Sequence, residues 1–479
     1  MFRLIKYIYV LIMNHIKMNN LWILTEEMPK HEVIMAILKK LADDGNFSVK
    51  LDTLKILPII ENNLFTSLYE VTGASSEGFR RIFISIISGD SSFVDFLIFL
   101  KKEKPNNNDI PLYAIEETKT TDAESRNTGV YQRCSKFVYV DFFYPGIKKI
   151  MLYNLLTPEN KKPTATNVFG TRMLRAIEVE IIGKEIDDKL MVPFQNIDEL
   201  VDFKKTMRKP PKGNVPIEII VESDAIKVSG RLYNQTGLDY DPNIGALSII
   251  AQCIRKWEKK KPIIITRHGL EQKHVGRDNK FIQIANKLNI QLAGLTVPKV
   301  NTKPNYWHYE TTQEKLGTIF LHVALLEYTN SLIVYSNHGG TERSYFIYPD
   351  GKPVAIEKYQ EGRKEEYKAG NKKAIIYLPD LIIYDVDRKE IINVEGKKYS
   401  TRKKGIAELK NYDYIEDKMI KPSYKPKSIV RTVVIAGDKK ESIEEKEIGF
   451  YLNEKGAMIL GPNAPEIFKE VIDKLLASQ

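Results

Sequence analysis

The feature that most constrains this chain is the run from Leu378 to Lys398. Two apolar, β-branched segments, Leu381–Val386 and Ile391–Val394, flank a charged turn at Asp387 and Arg388. Such runs on either side of a turn predict a β-hairpin. Folding the run about its turn sets Asp380 opposite Glu395, because the two lie equally far from the centre. Side chains alternate along a strand, so Glu395 and Lys397 share one face. Two carboxylates and an ammonium therefore meet at one end of one hairpin.

That set suits phosphodiester chemistry. Hard Mg²⁺ takes oxygen ligands and keeps several waters, so two carboxylates can hold it without a full protein cage. The metal acidifies a water and offsets charge on the phosphate, while a lysine orients the nucleophile or stabilises the transition state. Beyond the hairpin, Thr401–Ile420 reads as helical with Ile406, Leu409 and Ile415 at apolar positions, and Ile429–Ile435 reads as another strand.

These residues resemble the PD-(D/E)xK nuclease superfamily: Pro379-Asp380, a gap of fourteen residues, then Glu395-Gly396-Lys397, followed by helix and strand. Other acid-x-lysine triplets (Glu271–Lys273, Glu366–Lys368, Glu416–Lys418 and Glu444–Lys446) have no hairpin partner. The helical run Thr311–Tyr328 precedes the hairpin. In this superfamily such a helix commonly donates another carboxylate, and Glu314 and Glu327 are the candidates.

A second constellation lies upstream. Phe93–Leu100 reads as a strand, 101–109 as a polar loop, and Pro111–Lys119 as a returning strand. Folding about Asn106 sets Asp95 opposite Glu117, with Glu117 and Lys119 on one face. The polar stretch behind it carries Arg126, Asn127, Gln132 and Arg133, types that suit phosphate and base-edge contacts. This part, too, resembles a restriction-endonuclease catalytic strand and the helix after it, with Val94 where the proline stands in the C-terminal motif. Further DNA contacts are expected from Arg267 and His268, which follow a strand end, and from Arg343 in the polar loop after Ser336.

The remainder divides more softly. Residues 1–29 read as an N-terminal extension, whose first thirteen residues are apolar and basic, lack a small-residue cleavage site and are too short to span a bilayer. The expectation for them is an over-extended start, with Met13 or Met18 as the true beginning, and an unstructured segment or a packed helix, not an anchor. Lys30–Asp43 and Leu54–Ile87 read as largely helical, and Pro158–Thr171 as a connection. The expected segments are 30–215, a first nuclease-like module; 216–300, a central α/β region; and 301–479, a second nuclease-like module. The 72 Lys and Arg against 62 Asp and Glu give a net charge of +10, which favours a polyanionic partner. Two cysteines, Cys134 and Cys253, make neither a disulfide framework nor a zinc pattern, as expected in the cytoplasm. No Gly-rich phosphate loop is present, which argues against ATP-driven translocation.

The expected fold is α/β (mixed α+β), with a restriction-endonuclease-like core, or two in one chain, in which a mixed sheet is flanked by helices. The resemblance implies a Type II restriction endonuclease that hydrolyses double-stranded DNA with Mg²⁺, for which Mn²⁺ can substitute. Asp380 and Glu395 would hold metal at one site with Lys397 beside them; Asp95 and Glu117 at the other with Lys119. It also implies a cognate DNA methyltransferase, no membrane partner, and a monomer or a homodimer. Either each site cuts one strand, or a dimer of a single site cuts both. The alternatives are a structure-specific repair or recombination nuclease, and a non-catalytic DNA-binding defence protein.

Overall fold

Leu21, Trp22, Ile23 and Leu24 are fully or nearly fully buried and form the centre of β1 (Asn20–Thr25). In sequence this stretch belonged to the N-terminal extension; it is instead a core strand. The computed structural model describes residues 19–89, 93–118, 135–153, 165–183, 191–206, 218–229, 231–232, 240–241, 244–268, 270–276, 280–300, 305–310, 314–338, 344–438 and 442–478. Two compact units are interleaved in the chain. The first comprises Met1–Ser88, Leu100–Lys104 and Tyr309–Gln479, and the second Gly89–Phe99 and Pro105–His308.

The first unit begins with β1 and α1 (His31–Gly45), which buries Val33, Ile34, Ile37, Leu38 and Leu41 at helical spacing. It ends at Asn46 in the left-handed conformation, φ 51°. The next stretch, expected to be largely helical, is instead β2 (Val49–Glu61), β3 (Leu64–Ser76) and β4 (Ile82–Gly89). β2 and β3 are antiparallel, as are β3 and β4, while β1 and β4 run parallel. The reason is local. Pro58 lacks the N–H that a helix interior needs, and the Ile, Val and Thr residues favour the pleated surface. Asn62 and Asn63, at φ 51° and 62°, make the tight left-handed turn that joins two strands. β4 is buried from Ile82 to Ser88, so it shows no alternation that separates it from a buried helix.

The second unit carries β5 (Phe96–Lys101) as far as Phe99, then β6 (Tyr113–Thr118), α2 (Ser135–Phe143), β7 (Lys148–Tyr153), α3 (Ala165–Ala176) and β8 (Val179–Ile182). β5 and β6 are antiparallel; β6, β7 and β8 are parallel neighbours. The expected connection at Pro158–Thr171 is helical from Ala165 onward, where Val168, Phe169, Met173 and Leu174 turn into the core. After α4 (Ile197–Thr206), a second sheet contains β9 (Ile219–Val221), β10 (Ile226–Ser229), β11 (Ile263–Arg267) and β12 (Ile290–Leu292). Helices α5 (Ile244–Trp257) and α6 (Lys280–Lys287) connect β10, β11 and β12, which are parallel. The central region is thus α/β, as expected.

The chain then returns to the first unit with α7 (Lys315–Tyr328) and a six-stranded mixed sheet. In spatial order this is β13 (Ser331–Ser336), β14 (Leu381–Asp385), β15 (Glu390–Lys398), β16 (Ser428–Ala436), β17 (Ile448–Leu452) and β18 (Met458–Leu460). Only β15/β16 and β16/β17 are parallel. α8 (Arg402–Glu408) follows β15, and α9 (Glu466–Ala477) closes the chain. Within this unit α7 packs against β2 and against β15–β17. Its Phe320 ring stacks on Phe450 at 5.5 Å and lies 4.9 Å from Phe65. The molecule is thus mixed α/β, with mixed sheets flanked by helices. Among the described residues no helix is long and apolar enough to cross a membrane.

Candidate active site

The β14/β15 hairpin has the register expected from its symmetry. Leu381 pairs with Val394 and Asp385 with Glu390, so Asp380 falls opposite Glu395. The short turn holds that register. The buried Asp385 carboxylate accepts from the N–H groups of Asp387 and Arg388, both at 3.1 Å, and Lys389 takes the left-handed conformation at φ 54°. A one-residue slip would turn Glu395 and Lys397 to the opposite face.

Around Asp380 the backbone is closely packed. Its Oδ2 accepts from Gly396 N at 2.8 Å, and its carbonyl accepts from Asn337 N at 2.8 Å. The neighbouring His338 is clamped to α7: its Nδ1 lies 3.0 Å from Thr318 Oγ1 and its Nε2 lies 2.9 Å from His322 Nδ1. Glu395 is buried and receives Lys397 Nζ on one oxygen and the Tyr412 hydroxyl on the other. Lys397 also reaches Glu408 of α8 at 3.1 Å. A Cβ on Gly405 would stand 2.6 Å from Lys397 Cγ, so the absent side chain leaves room for the lysine stem.

Burial, and then the charge of Glu395, push the Asp380 carboxyl up to about 7. Glu314, at the start of α7, adds a smaller push in the same direction. Burial likewise raises Glu395, against the hydrogen bonds from Lys397 and Tyr412. For Lys397, burial opposes the charge, but the hydrogen bond and charge of Glu395 outweigh it and hold the ammonium above the ordinary lysine range. These surroundings favour the charged form of Lys397.

Of the two carboxylates proposed on α7, Glu314 is the one whose charge acts on Asp380. Glu327 has a structural task, accepting from Ile56 N at 2.9 Å. Tyr412 and Glu408 were not singled out in sequence. Glu416, in one of the unpartnered triplets, is also structural: buried, it accepts from Arg431 Nε at 2.7 Å and from Asn393 Nδ2 at 2.6 Å.

In the second unit the register differs from expectation. Phe96 pairs with Ile115, which places Asp95 opposite Glu116, not Glu117. The loop between β5 and β6 is long and sets no register, and residues 113–116 are all buried, so no alternation sets it either. Glu116 is 2 % exposed and accepts from Asp95 N at 3.1 Å, while Asp95 Oδ2 accepts from Glu117 N at 2.7 Å. The ammonium comes from α2: Lys136 Nζ lies 2.6 Å from Glu116 Oε1 and 3.7 Å from Asp95 Oδ1. Burial first, then Asp95, push Glu116 up to about 8 against Lys136. Lys136 had a readable signal, as a cation leading into the buried run Phe137–Val140.

The remaining candidates are scattered. Lys119, Arg126, Asn127, Gln132, Arg133 and Arg343 lie outside the described residues. Arg267 is exposed at the end of β11, and the next residue, His268, sets Nε2 2.9 Å from Ala293 O. Among the described residues no three His, Cys, Asp or Glu side chains are grouped to hold a metal ion. Comparison with known protein families, curated proteins and solved structures finds no match.

Proposed function

We propose that this chain is a metal-dependent DNA endonuclease of the restriction type, built on a PD-(D/E)xK-like core, with Asp380, Glu395 and Lys397 at its reaction centre. One observation carries the reading: an acid, a second acid and a protonated lysine converge at the end of a buried hairpin. The helix and parallel strand that follow are in the superfamily's order. The +10 charge favours a polyanionic substrate, double-stranded DNA on this reading, and a cognate methyltransferase would protect the host's own sites.

The donor set fits a hard divalent cation. Asp380 and Glu395 offer carboxylate oxygens only, and both are raised by burial, a state an added cation relieves. With only two acids at hand, waters would complete the shell. When bound, Mg²⁺ would acidify a water and neutralise developing phosphate charge. The chain's own residues do the rest. Asp380 is held in place by Gly396 N, and Lys397 presents a fixed positive charge through its contacts to Glu395 and Glu408. In the reaction a water oxygen bonds to phosphorus as one P–O ester bond breaks. The water releases a proton, and the departing oxygen takes one up.

The test incubates the full chain with supercoiled plasmid and Mg²⁺ or Mn²⁺, beside Glu395→Gln and Lys397→Met. Cutting by wild type, lost in both variants, supports the reading, and discrete bands on long DNA mark it as site-specific. A wild-type chain that leaves plasmid intact with either metal overturns it.

A further inference from the structure

We infer that Asp95, Glu116 and Lys136 form a second hydrolytic centre in this chain, with its lysine supplied by helix α2 instead of the strand. The inference rests on the nuclease reading and extends it to the second unit.

Four correspondences support it. Each centre has an aspartate immediately before the first strand of a hairpin, opposite a glutamate on the second strand: Asp380 with Glu395, and Asp95 with Glu116. In each, the aspartate Oδ2 accepts the backbone N–H of the residue after that glutamate, from Gly396 at 2.8 Å and from Glu117 at 2.7 Å. In each, an ammonium sits on the glutamate, from Lys397 in one and from Lys136 at 2.6 Å in the other. After each hairpin come a helix and then a strand parallel to the second hairpin strand. The difference lies in the origin of the lysine. Two positions after Glu116 the chain has Thr118, where the first centre has Lys397.

A glutamate and a lysine taken out of water together are costly unless their geometry repays it, and stability alone is a weak reason to keep them. The reaction assigned here is the same hydrolysis: one water O–P bond forms, one P–O ester bond breaks, and one proton passes from the water while the leaving oxygen gains another.

The test uses the full chain and two readouts. On supercoiled plasmid with Mg²⁺, wild type is expected to give linear DNA. Lys136→Met and Glu116→Gln should slow second-strand cutting about 100-fold and accumulate nicked circles, whereas Glu117→Gln should linearise like wild type. The persisting nick is itself the folding control, because the C-terminal centre makes it. Independently, Mn²⁺ counted by electron paramagnetic resonance should fall by one ion per chain in Glu116→Gln and stay unchanged in Glu117→Gln. Linear product from Lys136→Met and Glu116→Gln at the wild-type rate overturns the inference while leaving the nuclease reading intact, and so does an unchanged Mn²⁺ count in Glu116→Gln. A wild-type chain that cuts nothing overturns both.

Discussion

The N–H of Gly396 donates to Asp380 Oδ2 at 2.8 Å, tying the acid before β14 to the residue after Glu395. That bond crosses the hairpin at the point where the first strand begins. A Cβ at position 396 would meet Thr318 Cγ2 at 2.9 Å and both Asp380 Oδ2 and Glu314 O at 3.2 Å. The glycine between Glu395 and Lys397 is thus set by the first turns of α7, which lie over it.

Gly396→Ala should therefore push α7 off the hairpin. Overpacking of this kind costs about 1–3 kcal/mol, and cleavage should fall with it because Asp380 moves. Urea denaturation and the plasmid assay check the pair of effects. Unchanged stability and rate would mean that α7 yields freely.

Lys397→Met leaves Glu395 buried without its ammonium. Breaking such a pair by removing one partner costs about 3–5 kcal/mol, with Tyr412 alone still donating to the carboxylate. The double variant Lys397→Met/Glu395→Gln should recover much of that stability and none of the cleavage. Denaturation midpoints across the four proteins of this cycle decide it, and strict additivity would argue against coupling between the two side chains.

Asp380 gives stability a pH dependence in metal-free protein. Its carboxyl is raised from 3.8 to about 7, so between those values the folded chain holds a proton that the unfolded chain has lost. This contribution is complete below the unfolded value and disappears as pH rises through the folded one. Wild type should lose stability relative to Asp380→Asn on going from about pH 4 to about pH 7. A constant difference between the two proteins across that window would contradict the shift.

Glu416 should matter for folding and not for chemistry. Its two oxygens take Arg431 in a forked pair, both bonds at 2.7 Å, and one also takes Asn393. Glu416→Ala takes the acceptor from the buried Asn393 amide and leaves Arg431 with Asp413 and the Leu409 carbonyl, and is expected to cost about 1–3 kcal/mol. Refolded variant should cleave at the wild-type rate per folded molecule; a selective loss of rate would bring Glu416 into the reaction centre.

The C-terminal hairpin was legible because its turn is short and charged while its strands are apolar, so symmetry alone located Asp380 and Glu395. The upstream hairpin was legible only as a hairpin. Its long loop and its unbroken buried run, Tyr113–Glu116, leave the pairing free by one residue, and one residue exchanges Glu116 for Glu117. Lys136 belongs to a different element, where strand spacing cannot point. In the misread stretch at Leu54–Ile87, the unbroken buried run of β4 fits a strand and a helix equally, whereas the alternation of Leu54, Ile56 and Pro58 in β2 was a legible strand signal. Tyr412 and Glu408 required knowledge of which side of the following helical run faces β15.

The interleaving of the two units has a consequence for synthesis. Ile56 of β2 donates to Glu327 of α7, which is 271 positions later in the chain. At about 5–20 residues per second of translation, the early strands wait roughly 14 to 54 s for that helix. During this interval the whole of the second unit, through His308, has been made. The nascent chain therefore carries an apolar β-meander without the helix that later covers it while the inserted second unit is made.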